Sequence, residues 1–189
     1  VGRLLGAQGR VLPMSVDPLS IEADMDDNGR HYTVKGQSKV AIAPGTVEAV
    51  RLTPEKPRVP AAVTEAISEA DWVVLGPGSW YTSVIPHLLV PELHRSLVTT
   101  EAHRALILNL SRQRGETDTM TTADHVRVIA RYAPSFKLDV VIADPTTTDD
   151  IDDLAEAADA LGARVLLRQV RTGDGEPHHD PLRLAAALR

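Results

Sequence analysis

Cysteine is absent from the 189-residue sequence. Disulfides, thiolate nucleophiles and thiolate metal ligands are therefore excluded together, and a cytoplasmic location is the simpler expectation. Aromatic residues make up only 3%: three Tyr, two Trp and one Phe. The core must be built from Val, Leu, Ile and Ala, and few rings are available to stack on a base. No apolar run reaches the ~18 residues of a membrane-spanning helix, so no membrane span is expected. A surplus of positive charge is also missing, the formal net charge being −6. That argues against a general nucleic-acid surface, though a local basic pocket for a phosphorylated ligand stays open. The sequence opens VGRLLGAQGR, without an initiator Met and without a visible signal peptide.

What is present falls into two styles. The first fifty residues alternate polar and apolar side chains. Val11–Met14 suits a strand end, and Ser20–Met25 alternates with period 2. The string Asp26-Asp27-Asn28-Gly29 is a turn signal, and His31–Val34 resumes extended character. Together they predict a hairpin with a loop of several residues. Val47–Leu52 is a further alternating strand, followed by the proline-rich connector TPEKPRVP.

From residue 60 the style changes. Helical spacing over Pro60–Ala70, Thr82–Ser96, Thr122–Tyr132 and Thr148–Leu161 alternates with apolar runs at Asp71–Leu75, Ala105–Leu110, Leu138–Ala143 and Arg164–Val170. Pro86 and Pro91 interrupt or offset the second helix. A short helix with an Asp-Pro start closes the chain at Asp180–Leu188. The α-β alternation predicts an α/β domain with a parallel sheet covered by helices on both faces.

In such sheets ligands bind outside the carboxyl ends of the strands. Three loops emerge there: GPGSWYTS after Leu75, SRQRGETD after Leu110 and DPTTTDD after Ala143. Gly76 and Gly78 let backbone amides approach a ligand. Ser79, Thr82 and Ser83 add hydroxyl donors, and Tyr81 is a candidate to stack on a base or sugar. The alternative is a tight strand-to-helix turn whose hydroxyls cap the helix, and the loop alone leaves the two even. It matches neither the P-loop nor the dinucleotide glycine pattern. The second loop offers Arg112 and Arg114 for phosphates. Its Glu116 and Asp118 suit a sugar hydroxyl, a metal or a base edge, the alternative being a solvated loop with Thr117 or Thr121 as a cap. Asn109, ending a buried strand, needs partners.

Other candidates are weaker. His87, His94 and His103 lack metal-ligand spacing, and the neighbours Asp124 and His125 point different ways on a helix. The acidic run Asp149–Asp153 suits a solvated helix N-terminus. His178-His179-Asp180 is a candidate pocket rim.

Several strings together carry a family pattern: GRVLPMS, ADWVVLGPGSWYTSVIPHLLVPEL, NLSRQRGETDTMTTADHVRVI, LDVVIAD and HHDPLRLAAAL. On these the chain resembles the bacterial gluconeogenesis factors, YvcK-type proteins of the CofD-like superfamily, over nearly its whole length. The resemblance implies a three-layer, Rossmann-like α/β domain across residues 1–189. It implies a nucleotide-sugar-binding regulator of the UDP-N-acetylglucosamine type, without turnover and with no cofactor beyond that nucleotide ligand. Such proteins link central carbon metabolism to cell-wall precursor supply and cell shape. A protein partner in precursor synthesis and a homo-oligomer are compatible with it. By the same resemblance Gly76, Gly78, Ser79, Tyr81, Thr82 and Ser83 contact the nucleotide or its phosphates, and Asn109, Glu116 and Thr117 form a second wall. The alternative is an enzyme like the 2-phospho-L-lactate transferases, acting on a deazaflavin. The family's opening GGGTG-type unit and its DDGGSSG-like loop do not occur in this sequence. The domain is therefore expected to be N-terminally incomplete, with part of the ligand site outside it and a sheet edge left unpaired at 72–75 or 105–110.

Overall fold

The computed structural model describes residues 9–113 and 115–188. β1 (Ser20–Asp27) and β2 (Arg30–Lys35) form an antiparallel hairpin. Its loop is only Asn28-Gly29, with φ of 54° and 86°, as a two-residue type I′ turn requires. The loop is shorter than expected because Asp26 and Asp27 complete β1, and the Asp26 carboxylate accepts from the Gly29 amide at 2.7 Å. One helical turn, α1 (Gln37–Val40), leads to β3 (Thr46–Thr53), which pairs with the other edge of β1. The order is β2-β1-β3. Strand alternation buries Ile21, Ala23 and Met25 of β1 with Val50 and Leu52 of β3. The opposite face carries Glu22 and Asp24, paired with Lys35 and Arg51. Val11–Met14 is irregular rather than a strand. Pro13 has no N–H to offer a ladder.

The second half alternates as its apolar runs predict. α2 (Ala61–Ser68) precedes β4 (Trp72–Leu75). A π-turn (Trp80–Val84), α3 (Ile85–Leu89) and α4 (Pro91–Thr99) then lead to β5 (His103–Ile107). α5 (Thr122–Tyr132), β6 (Val140–Ala143), α6 (Ile151–Asp159), β7 (Arg164–Leu167) and α7 (Pro181–Ala187) follow. The single helix expected over 82–96 is thus three pieces. Val90 is extended, as a residue before proline prefers, and Pro91 opens α4 at a position that needs no N–H.

β4 to β7 form one parallel sheet in the order β4-β5-β6-β7. Each strand lies beside its predecessor, and the crossovers all step the same way. Helices α3 to α6 therefore share one face, where Leu88, Leu93, Val126, Ile129 and Leu154 meet Leu75, Leu106 and Val141. The other face, with Ala105, Ile107, Val140 and Ile142, receives Leu184, Ala187 and Leu188 from α7 and the residue after it. Both faces carry helices, but unequally. At β4, Trp72 and Val74 remain 38% and 40% exposed. β4 is paired on one side only, through β5. The two sheets are tied by the Tyr132 hydroxyl, which accepts from the Val50 amide at 2.7 Å.

Candidate functional site

Parallel register brings the loops after β4, β5, β6 and β7 to one edge. The first two are locked together. Asn109 bonds Gly78 twice: its Oδ1 accepts from the Gly78 amide at 3.0 Å, and its Nδ2 donates to the Gly78 carbonyl at 2.9 Å. Gln113 Oε1 accepts from the Trp80 amide at 3.1 Å. Glu116 reaches across from the second loop with its carboxylate 6% exposed. It accepts from Ser79 Oγ at 2.6 Å, Thr82 Oγ1 at 3.1 Å and the Tyr81 amide at 3.3 Å. Ser79 Oγ and Thr82 Oγ1 are also within reach of each other, so one of the two hydroxyls shares its hydrogen between its neighbour and Glu116. Thr117 is buried and accepts from the Gln113 amide at 2.8 Å.

The Trp80 and Tyr81 amides that open the π-turn, its Thr82 hydroxyl and the Ser79 hydroxyl just before it are thus engaged by side chains of the neighbouring loop. A carboxylate, Glu116, already sits where an anion at a helix start would. Polar groups this deeply buried need such partners.

Gly76 and Gly78 play different parts. Gly76 has φ of 70°, and a Cβ there would stand 2.6 Å from the Ile107 carbonyl oxygen. Only glycine allows β4 to turn this close to β5. At Gly78 the nearest atom to a Cβ would be Ser83 Cβ at 3.7 Å, an ordinary contact. Tyr81 lies in the core, 6% exposed, and burial pushes its phenol up to about 12. Its hydroxyl points to Met120 Sδ at 3.8 Å.

Two openings flank this joined wall. Pro77, Gly78, Asn109, Ser111, Gln113 and His179 line a cavity of about 260 Å³. A largely apolar one of about 360 Å³ on the other side is lined by Gly76, Ser83 and residues such as Met14, Ile67 and Leu97. The nine residues singled out in the sequence therefore come together in space but divide by role. Gly78 and Asn109 face the first cavity, Gly76 and Ser83 the second, and Ser79, Tyr81, Thr82, Glu116 and Thr117 form the partition.

Arg112 is half exposed and donates to Asp149 at 2.7 Å. The other Asp149 oxygen accepts from the Thr122 amide at 2.9 Å. Asp118 is exposed and accepts from the Gly115 amide. Arg114 lies outside the described residues. His179 does reach the rim, its Nε2 being 3.2 Å from the Leu108 carbonyl. One grouping among the described residues has metal-ligand chemistry, Asp26, His31 and Glu48 on the hairpin sheet. His31 is already paired with Glu48 at 3.1 Å.

Three residues were not recognised as site residues in the sequence. Gln113 gives no composition signal. Asp144, at the end of β6, is 2% exposed and accepts from the Val170 and Arg171 amides at 2.8 and 3.0 Å, joining the loops after β6 and β7. His125 falls on the buried stripe Thr122, His125, Val126, Ile129 of α5. That spacing, a polar ring within an apolar stripe, is the signal that could have found it.

Comparison with known proteins agrees with this architecture. The family model described as "2-phospho-L-lactate transferase CofD" matches residues 1–166. A putative gluconeogenesis factor of Mycobacterium tuberculosis is 43% identical over 195 residues, covering 100% of this chain and 57% of that protein. The gluconeogenesis factor of Listeria innocua is 31% identical, covering 98% and 60%. A crystal structure of a UPF0052 family member from Bacillus halodurans superposes with a TM-score of 0.83 at 28% identity, covering 99% and 64%. The chain spans less than two thirds of the length of each of these three relatives.

Proposed function

The chain belongs to the CofD-like gluconeogenesis factor family, and from that premise we propose that it carries one wall of a nucleotide-sugar site in a regulatory protein. The supporting observation is the rigid wall made by the loops after β4 and β5, beside an open polar cavity at the carboxyl edge of a parallel sheet. Ser111 and Gln113 line it beside the Gly78–Asn109 pair, whose amide groups bond each other, a lining suited to a polar, uncharged moiety and its phosphate neighbours. At about 260 Å³ the cavity is smaller than usual ligand pockets. The remainder of the proposed site belongs to parts of the longer relatives that this chain does not span. The ligand is UDP-N-acetylglucosamine, and its occupancy reports cell-wall precursor supply to central carbon metabolism and cell shape.

A second reading follows from the description of the matching family model: a transferase moving a phospholactyl group onto a deazaflavin. Thermal unfolding of the full-length protein separates the two. With UDP-N-acetylglucosamine at a hundredfold excess over Kd, stabilisation of about 2.7 kcal/mol is expected, a shift of several degrees. No shift with this ligand overturns the regulator reading, and product formed from a deazaflavin with its phospholactyl donor supports the transferase.

A further inference from the structure

The outer face of the first sheet carries Glu22, Asp24 and Asp26 from β1 and Glu48 from β3. These carboxylates are not treated alike. Glu22 and Asp24 are neutralised by Lys35 and Arg51. Asp26 and Glu48 have no lysine or arginine partner among the described residues, and their basic neighbour is His31, whose Nδ1 lies 3.1 Å from Glu48 Oε2. One ligand atom from each of Asp26, His31 and Glu48 lies within 4.8 Å of the other two. The end of the sheet beside the Asn28-Gly29 turn is thus short of positive charge where its other end is balanced.

The three residues come from three strands. Asp26, on the central strand β1, stands directly opposite His31 on β2, and the Cβ atoms of such a pair are about 5 Å apart. Glu48 arrives from β3 through a β-bulge. Asp24 pairs with Ala49 and Met25 with Val47, so Glu48 is the extra residue. Val50 and Leu52 face the core, and unbroken alternation would send residue 48 inward with them. The bulge gives that inward place to Val47, which packs on the core, and leaves Glu48 outside. His31 and Glu48 then reach each other across the central strand. A bulge that re-aims one side chain in this way is a common device beside functional groups.

We propose that Asp26, His31 and Glu48 form a site for a zinc-class dication, with its fourth position open to water. One imidazole nitrogen and two carboxylates are a donor set that zinc accepts together. Calcium and magnesium prefer shells of oxygen alone, and without cysteine there is no thiolate to draw a softer ion. Two carboxylates and a neutral imidazole offset the ion's charge. Tetrahedral bonds of ~2.0–2.1 Å set ligand atoms about 3.3 Å apart. The separation of 3.1 Å between His31 and Glu48 is close to that, and Asp26 closes its gap by turning its carboxylate. The hydrogen that His31 Nδ1 now gives to Glu48 leaves that atom for the ion, and the ring keeps its hydrogen at Nε2. Bound there, the ion ties β1, β2 and β3 together at the turn. The site lies on the first sheet and is independent of the nucleotide-sugar reading.

The test uses the full-length protein, stripped of metal with a chelator and titrated with zinc chloride by calorimetry. His31→Ala and Glu48→Gln should each lower the zinc affinity by at least about tenfold, the least that disturbing the shell around a metal costs. Both side chains are exposed, so both variants should stay folded. His178→Ala, in the loop before α7, should leave the affinity as it is. In the wild type zinc should also move the ¹⁵N resonance of His31 Nδ1 and slow hydrogen exchange along β2, an edge strand. Magnesium in large excess should do neither. Equal zinc affinity in the wild type, His31→Ala and Glu48→Gln overturns the site, and so does a His31 Nδ1 resonance that zinc leaves in place. Zinc binding lost in His178→Ala but kept in His31→Ala assigns the ion to the His178-His179 pair and overturns the site as well.

Discussion

Gly76 and Gly78 flank one proline, yet the structure asks different things of them. A Cβ at Gly76 would strike backbone, the Ile107 carbonyl oxygen, and the positive φ adds its own penalty. Gly76→Ala should cost about 2–4 kcal/mol in chemical denaturation, whereas Gly78→Ala should stay within about 1 kcal/mol. Equal losses at both positions would show that the turn is not set by the approach of β4 to β5. Asp144 gives a second residue-level prediction. Burial pushes its carboxyl up, but the Thr146 hydroxyl and the amides of Thr146, Arg171 and Val170 outweigh that and hold it below the ordinary carboxylate range. A depressed folded-state value contributes stability above the unfolded-state value near pH 4, and that contribution is lost as pH falls through the folded-state value. Asp144→Asn should therefore be less stable than wild type by about 2–3 kcal/mol at pH 7, and the gap should close below pH 4. A gap constant from pH 7 to pH 3 would contradict the role given to this carboxylate.

At the scale of elements, the π-turn is the one that depends on a distant part of the chain. Its Trp80 and Tyr81 amides and its Thr82 hydroxyl are held by Gln113 and Glu116, some thirty residues further on. Glu116→Ala should release the segment, costing about 2–4 kcal/mol and deprotecting the Tyr81 amide in hydrogen exchange. Glu116→Gln, which keeps an acceptor, should lose less. Protection unchanged in Glu116→Ala would show that the turn stands by itself. This dependence also explains what the sequence did and did not disclose. The strands of the parallel sheet were legible, because runs such as Val140–Ala143 are apolar without alternation. α5 was legible from the helical spacing over Thr122–Tyr132, which a capping box at Thr121 and Asp124 opens. The splitting of 82–96 was foreshadowed by Pro86 and Pro91. The partition was not legible as a partition, since hydroxyls that cap, clamp or contact a ligand look alike until their acceptors are placed. His125 stands beside Asp124 in the sequence, and only the face that α5 buries separates the two. Val11–Met14 had strand composition but no strand beside it to pair with.

For the molecule as a whole, the two tryptophans report opposite environments. Trp72 lies on the thinly covered face at β4, while Trp80 is fully buried against His125. Trp72→Phe should leave a blue-shifted emission that acrylamide quenches weakly and that reports global unfolding. Trp80→Phe should leave a red-shifted, readily quenched one. Identical quenching in the two variants would mean that β4 is covered as well as the core is.

The strand order has a consequence for how the chain comes to be folded. Because β4, β5, β6 and β7 pair strictly in the sequence in which they are synthesised, each new strand meets a finished edge as soon as it clears the ribosome. The sheet can grow one βα unit at a time, with no earlier segment waiting for a late one before its hydrogen bonds close. The partition is different, because its clamp at Glu116 is made only after β5 has emerged. Thr82 waits 34 residues for it, and the Val50 amide waits 82 for the Tyr132 hydroxyl, so the contacts between layers close after the sheet beneath them.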